Sequence, residues 1–478
     1  MEPQQTGMRL SRRRLLTAGV VTTGLAVTGS WRLRSADVAV AQAPGHNPLY
    51  VPPKVAPAGT LTAAKTPVKL SESHTSTTGM TYRGSTAAFD YRALGPTYVI
   101  NRSETAQIEL TNQLGEDTTV HWHGMVVETT QDGQPHDAVP SGTSRTYQFK
   151  VDQRAAFNWY HPHPLHRVSP QVALGLAGGF IVRDADDTGV LGRFPAGAYE
   201  VPLVIRDAQL DSRGNLQYKP NSNGYLGSLP LVNGTREPVL GVDQAWYRFR
   251  ILAGTPARVF RLALSNGAPL RLIGNDGGLL ATVTDVTEVM LGPAERIDVL
   301  VNLTGLAKDQ TVVLRDLSAR WDLLTLRGTG GTGPSYTPPT AGSSLSTIPT
   351  LSGPNQPTRA FSFDGMSRIN GLIYDLHRID FQVPFNTVER WRFSTGGNAP
   401  HPVHIHGGHF QVVARSRGRN AIFPWERGWK DTVLLQKGEI VDVLIRFDDP
   451  RTKGGRYLIH CHQLEHEDSG MMMNFEVI

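Results

Sequence analysis

A chain of 478 residues has room for two to four domains. Only 19% of its residues are charged, while Gly and Pro number 49 and 32, which excludes a helical bundle or a disordered acidic chain and suits a turn-rich β protein. The net charge of +5 makes no case for a nucleic-acid partner: residues 1–43 hold six Arg against Glu2 and Asp37, leaving about +1 for the remainder.

Ser11-Arg12-Arg13-Arg14-Leu15-Leu16, followed by a mild apolar run from Thr17 to Val27, reads as a twin-arginine signal peptide over residues 1–43. The run is too short and too rich in Gly and Thr for a membrane span, so no stable membrane insertion of the mature chain is expected. Ala41-Gln42-Ala43 fits a small-x-small cleavage site, with a cut elsewhere from Ser35 onward as the alternative. The expected location is periplasmic or extracellular.

Prolines at 44, 48, 52, 53 and 57 mark an extended lead-in. Alternating strands are predicted at Thr97–Ile100 and Thr105–Leu110, before His121-Trp122-His123-Gly124, and at Thr146–Val151, before His161-Pro162-His163. A further strand at Gly179–Val182 closes this first part. A strand-with-turn pattern recurs at 140–149, 292–301 and 437–445, and each copy follows a paired-strand region. In the first and third copies that region carries His-x-His-Gly. In the second it reads Arg271-Leu272-Ile273-Gly274-Asn275-Asp276-Gly277-Gly278, with no ligand, so the middle unit reads as a spacer. Gly, Ser, Thr and Pro dominate 328–357, the clearest linker. The resulting division is 44–190, 191–335, a connector at 336–357, and 358–478. Short strands without a long amphipathic helix predict Greek-key sandwiches.

The third His motif is His401-Pro402-Val403-His404-Ile405-His406-Gly407, and the fourth is His460-Cys461-His462 with His466 and Met471 close behind. One His-x-His pair is commonly a polar strand face. Four pairs in one chain are not, and eight imidazoles are too many for one ion. On a strand, alternate side chains share a face, so His460 and His462 point one way and Cys461 the other. Parity likewise turns His401 away from His404 and His406. Ten histidines thus sort into eight for a cluster and two, His401 and His466, for a thiolate site. In isolation a lone Cys is more often a buried structural residue. Two His neighbours reverse that reading and suit a blue-copper arrangement of two His, one Cys and a weak axial Met. A tetrahedral structural zinc site does not use this donor set. Of Met471, Met472 and Met473, the first is the expected axial ligand and the others are packing.

These motifs, in this order from about residue 60 to the end, resemble those of three-domain bacterial multicopper oxidases, the laccase and cuprous-oxidase group. The resemblance implies an all-β chain of three cupredoxin-like Greek-key β-sandwich domains and four copper ions. His401, Cys461, His466 and Met471 would hold the type 1 copper, and His121 and His404 the type 2 copper. His123, His161, His163, His406, His460 and His462 would hold the type 3 pair. Asp132 and Glu467 match acidic positions that the family uses to move protons, and Cys461 would pass electrons to its flanking histidines. His46, His74, His136, His166, His377 and His409 fit no motif and read as surface or core residues, with supporting roles near the ligands as the alternative for His166 and His409.

The resemblance further implies four one-electron oxidations coupled to reduction of dioxygen to two waters. Cuprous oxidases of the group add a Met-rich segment and place Asp and Met before the third motif. Here the linker has no Met, and Gly397-Asn398-Ala399-Pro400 precedes His401. Phenols or aromatic amines are therefore the expected substrates, with cuprous or other metal ions as the alternative. Relatives that serve in envelope assembly lose copper ligands, and no ligand position is altered here. A monomer is expected.

Overall fold

Alternation builds the first sheet. In Thr105–Gln113 the side chains of Ala106, Ile108 and Leu110 are fully buried, while Thr105, Gln107 and Glu109 between them face water. This strand lies between Ala58–Val68, to which it is parallel, and Ser144–Lys150, to which it is antiparallel. The computed structural model describes residues 47–74, 76–85, 92–188, 193–397 and 399–478. The signal peptide expected over 1–43 and Asn398 lie outside them.

The described residues form six sheets, which pair into three sandwiches. The first packs two four-stranded sheets around Trp122, Tyr147, Tyr160 and Phe180. The second packs six- and eight-stranded sheets around Leu203, Phe249, Leu272 and Val299. The third packs two five-stranded sheets around Phe361, Trp391, Cys461 and Phe475. Each core is the layer of apolar faces between two sheets. The fold is all-β and cupredoxin-like; among the described residues the α-helices are short, at Val168–Ala173, Ala185–Thr188 and Leu464–Asp468. Among the described residues no helix is long and apolar enough to cross a membrane.

The predicted strands form, three with extended ends at Thr97–Asn101, Thr105–Gln113 and Gly178–Arg183, and one shifted to Ser144–Lys150, which starts earlier and stops before Val151. Two readings change. The lead-in contributes ladder pairs, Asn47–Pro48 to Pro238–Gln244 and Lys54–Val55 to Thr97–Asn101, because prolines fit edge positions. The glycines from Gly328 are not yet linker: Trp321–Thr332 is one strand, and Gly328 pairs with Val242. Only after Thr332 does the chain leave the sheet.

The C-terminal sheet positions the chemistry. Its order is Phe381–Val383, Met472–Val477, Arg456–Cys461, His401–Ile405 and Thr432–Leu435. Val403 pairs with Cys461 and His404 with His460. Residues in register share a face, so one face carries Val403 and Cys461 into the core and the other carries His404 and His460 outward toward the first sandwich.

Candidate metal centre

His121 and His161 come from the first sandwich and meet as an isolated bridge rather than in a regular ladder. These two pairs therefore lie just outside the regular strands. The backbone there is extended enough to keep both imidazoles of each pair inward. All eight histidines of the four pairs are buried. They assemble into one cluster between the first and third sandwiches: His121 stacks on His406 at 3.9 Å and His123 on His404 at 3.7 Å between ring centroids. His163, His406 and His460 bring ligand atoms within 4.8 Å of one another, as do His121, His123 and His161, and His121, His404 and His406.

One ring nitrogen of six of these histidines donates to an oxygen outside the cluster. His121 Nδ1 donates to Asp132 O at 2.8 Å and His406 Nδ1 to Asp132 Oδ2 at 2.7 Å. His123 Nε2 donates to Asp431 Oδ1 at 3.0 Å and His404 Nδ1 to Asp431 O at 2.8 Å. His161 Nδ1 reaches Pro162 O at 2.9 Å, and His460 Nδ1 reaches Cys461 O at 3.2 Å. Each acceptor fixes a tautomer whose other nitrogen is a lone pair turned inward. The consequence is visible inside. His121 Nε2, His123 Nδ1 and His404 Nε2 are buried without a partner, and neither ring nitrogen of His163 has a hydrogen bond. His406 Nε2 and His460 Nε2 face each other at 3.1 Å, acceptor against acceptor. Buried lone pairs that repel one another are costly alone and well placed for cations.

Burial lowers the pKa of His123, His161, His163, His404 and His462 well below the ordinary range, and mutual repulsion lowers it further. Burial and His121 push His406 down to about 3 against the opposing pull of Asp132. These imidazoles are neutral at ordinary pH, the form that binds metal.

The thiolate site lies on the other face of the strand. Cys461 Sγ is 3.5 Å from His401 Nδ1 and 3.6 Å from His466 Nδ1, and these two nitrogens are 3.3 Å apart. All three residues are buried. His466 comes from the helix Leu464–Asp468, so strand parity does not reach it, and the helical turn brings it back over Cys461. Burial pushes His401 down to about 4 and His466 to about 3, and raises the Cys461 thiol. Met471 is buried in the same apolar core, and its carbonyl accepts from Cys461 N at 3.1 Å. Met473 lies in that core too, while Met472 pairs with His460.

Both expected acids reach the cluster. Besides accepting from His121, from His406 and from Gln134 Nε2 at 2.9 Å, Asp132 has Oδ1 buried without a hydrogen bond, 3.3 Å from His121 Nδ1. Burial works against its ionisation, but the facing His406 and His121 hold its pKa well below the usual range. Glu467 Oε1 and Oε2 lie 3.3 Å from His163 Nδ1 and 3.1 Å from His460 Nδ1. His166 is removed from the cluster, donating to Asp468 O at 2.6 Å, and His409 Nε2 is buried without a partner. Three neighbours were not anticipated: Asp431, Arg296 beside it, and Trp159, whose ring stacks on His161 at 4.2 Å. No motif marks them, and Asp431 meets His123 across 308 residues of sequence.

The sequence profile of the multicopper oxidases matches residues 70–187 and 343–478. Multicopper oxidase Mco of Staphylococcus haemolyticus is 32% identical over 401 residues, 82% of this chain and 84% of that one. Cell division protein FtsP of Dickeya dadantii is 31% identical over 399 residues, 80% and 83% of the two chains. The crystal structure of a laccase from Pediococcus acidilactici superposes with a TM-score of 0.81 at 33% identity, covering 92% of this chain and 95% of that one. The chain belongs to the multicopper oxidase family and is a laccase-like oxidoreductase. The family implies copper as the cofactor, with a small-molecule reductant and dioxygen as reactants.

Proposed function

We propose that this enzyme oxidises phenols or aromatic amines by single electrons and uses four such electrons, with four protons, to reduce dioxygen to two waters. The observation that carries this reading is the convergence of His401, Cys461 and His466 within 3.6 Å, with Cys461 bonded directly to His460 and His462 of the cluster. The donor set fits copper: a soft thiolate with two imidazoles at one place, and inward lone pairs at the other. His401, Cys461, His466 and Met471 would hold type 1 copper and His121 and His404 type 2 copper. His123, His161, His163, His406, His460 and His462 would hold a type 3 pair, four ions in all. Copper bound there supplies one-electron exchange at the thiolate and dioxygen reduction at the cluster.

The chain does the rest. The two peptide bonds flanking Cys461 join the electron-accepting site to both halves of the cluster, so no mobile carrier is needed. Asp132 presents an unpartnered carboxylate oxygen beside the cluster and can hold and pass a proton at Oδ1. Glu467 bridges His163 and His460 and can do the same from the other side. Burial excludes bulk water from both places.

An aromatic reductant suits the surface beside the thiolate site. Ile373 is exposed there, packed over Gly470, and Met366, Leu372 and Ile379 of the same segment are exposed as well. Tyr374 N donates to Gly470 O at 2.9 Å, which holds this segment against the residue before Met471. Such a patch favours apolar rings over hydrated metal ions. The P. acidilactici relative is named a laccase, which agrees with this reading. The complete donor set speaks for the oxidase rather than for a non-enzymatic role in envelope assembly.

We further propose three cupredoxin domains at 44–190, 191–335 and 358–478 with a connector at 336–357, and twin-arginine export of a monomer to the periplasm or beyond. The test of function is an optical and EPR spectrum of the copper-reconstituted protein, followed by oxygen uptake with a phenol and with Cu(I). Blue colour with type 1 and type 2 signals and faster phenol turnover are expected. A colourless protein without uptake overturns the oxidase, and faster Cu(I) turnover overturns the substrate class.

A further inference from the structure

The middle sandwich supplies no histidine to the cluster, yet one of its arginines ends beside it. Arg296 opens the strand Arg296–Asn302 and is fully buried. Its Nη1 donates to Asp431 Oδ1 at 2.7 Å and its Nη2 to Asp431 Oδ2 at 2.5 Å, a two-pronged ion pair. The other donors are satisfied by carbonyls: Nε by Phe157 O at 2.9 Å, Nη1 by Ala294 O and Nη2 by Asp276 O, both at 3.1 Å. The guanidinium is therefore fixed on every side.

Asp431 is the residue that orients one histidine from each outer sandwich. Its Oδ1 accepts from His123 Nε2, and its backbone carbonyl accepts from His404 Nδ1. We propose that Arg296 is a positioning residue for the histidine cluster. It clamps the Asp431 carboxylate so that His123 keeps Nδ1 turned inward, while the Asp431 backbone carbonyl, which also accepts from Ile405 N at 3.1 Å, holds His404. The inference rests on copper being held there, as proposed above. Thr432 Oγ1 lies 3.1 Å from His123 Nε2 and donates to Asp431 Oδ1 at 2.9 Å; a carboxylate that rotates away leaves His123 facing this hydroxyl alone, which donates as well as accepts and so no longer fixes the tautomer. Outer partners of this kind typically change metal affinity 10–100-fold.

Two features of the chain fit this role. Gly124, which ends His121-Trp122-His123-Gly124, sits at φ +86 under the ion pair. A Cβ there would come within 2.8 Å of Arg296 Nη2 and of Asp431 Oδ2, so the motif's glycine leaves room for the clamp. The second is the turn Asn275-Asp276-Gly277-Gly278, which stands in the middle repeat where the others carry His-x-His-Gly. Asp276 Oδ1 accepts from Arg296 N at 2.7 Å, and its Oδ2 pairs with Lys430 Nζ at 2.7 Å, next to Asp431. Added Cβ atoms would lie 2.4 Å from Trp429 O at Gly277 and 2.0 Å from Ala155 O at Gly278. The turn thus reaches both outer sandwiches through bare backbone. The ligand-free repeat is a brace for the cluster rather than a spacer.

The test uses the thiolate site as an internal control of folding. Wild type, Arg296→Gln, Arg296→Lys and Asp431→Asn are loaded with Cu(II). They are then titrated with a chelator while copper per chain, blue colour and EPR are followed. Arg296→Gln and Asp431→Asn are expected to keep the blue colour and to release cluster copper at about 10–100-fold lower chelator concentration. Arg296→Lys should recover part of the retention, because a point charge holds Asp431 without the fork. Wild-type retention and EPR in Arg296→Gln overturn the inference. If Arg296→Gln is insoluble, Asp431→Asn decides: lost retention supports the clamp, and full retention overturns it. Wild type that takes up no copper at either place removes the oxidase reading and the clamp with it. Wild type and variants that load and hold copper equally remove the clamp alone.

Discussion

His401 Nδ1 lies 3.5 Å from Cys461 Sγ, although 60 positions separate them. The register explains the meeting. Val403 pairs with Cys461 across the two strands, and His401, two residues before Val403, shares its face. The same ladder pairs His404 with His460 on the opposite face. One strand pair therefore serves two sites, with the peptide backbone as the wall between them.

Cys461→Ser removes the soft donor and leaves the other face intact. The expected outcome is loss of blue colour and of reductant oxidation by more than about 100-fold, beyond the range for outer partners. Cluster copper, read by metal analysis and EPR, should remain. Loss of cluster copper as well would mean that the two faces are not independent.

Much of this arrangement was legible because strand parity is a local rule. His460 and Cys461 end the strand Arg456–Cys461 and His462 follows directly, so alternation separates the thiol from the imidazole beside it. His466 was legible only through the motif, since it stands on a helical turn where alternation fails. Asp431, Arg296 and Trp159 were not legible at all. An aspartate in mid-chain carries no spacing signal, and its partners lie 135 and 308 residues away. The one trace was Gly124, whose need for a missing Cβ marks a crowded place without naming what crowds it. The strand at 328–332 was misread for a related reason. Its Gly and Thr look like linker, but the partner strand Pro238–Gln244 supplies the pairing that composition hides.

Asp132 tests the proton role. Its Oδ2 is engaged by His406 Nδ1 and by Gln134 Nε2 at 2.9 Å, while Oδ1 has no partner. Asp132→Asn keeps the shape and removes the proton-holding group. Turnover should fall by about 100-fold or more, within the range for general acid–base groups, with a changed pH profile and unchanged blue colour. Steady-state oxygen uptake across pH measures both. An unaltered rate and profile would assign Asp132 to holding His406 only.

Acid stability is expected to depend on Glu439, which supplies no donor to either metal site. Burial opposes its ionisation, but hydrogen bonds from Arg419 and Gln436 N, with the charges of Arg419 and Arg415, bring it down to about 2. Arg419 Nε reaches Oε1 at 2.6 Å and Arg415 Nη1 reaches Oε2 at 2.7 Å. A depressed carboxyl stabilises the fold fully above its unfolded pKa, about 4.5, and loses that contribution as pH falls toward about 2. Glu439→Gln should therefore be less stable near neutrality by about 3 kcal/mol, the order for breaking a buried pair. The gap should close between about pH 4.5 and 2. Denaturant curves at stepped pH read it, and parallel curves would exclude the linkage.

Ile373 tests the substrate class. It is 44% exposed, and its Cγ2 lies 2.7 Å from where a Cβ on Gly470 would stand, so it packs over the residue before Met471. An aromatic reductant approaching the thiolate site from this side would cover it. Ile373→Ser removes the apolar surface without touching a donor atom. The KM for a phenol should rise about 10-fold, as expected for losing one modest apolar contact. The blue colour, kcat and KM for Cu(I) should stay as they are. A variant that leaves the phenol KM unchanged would move the docking place elsewhere. One that raises KM for Cu(I) equally would show that both reductants use this surface, and the apolar argument for aromatic substrates would fall.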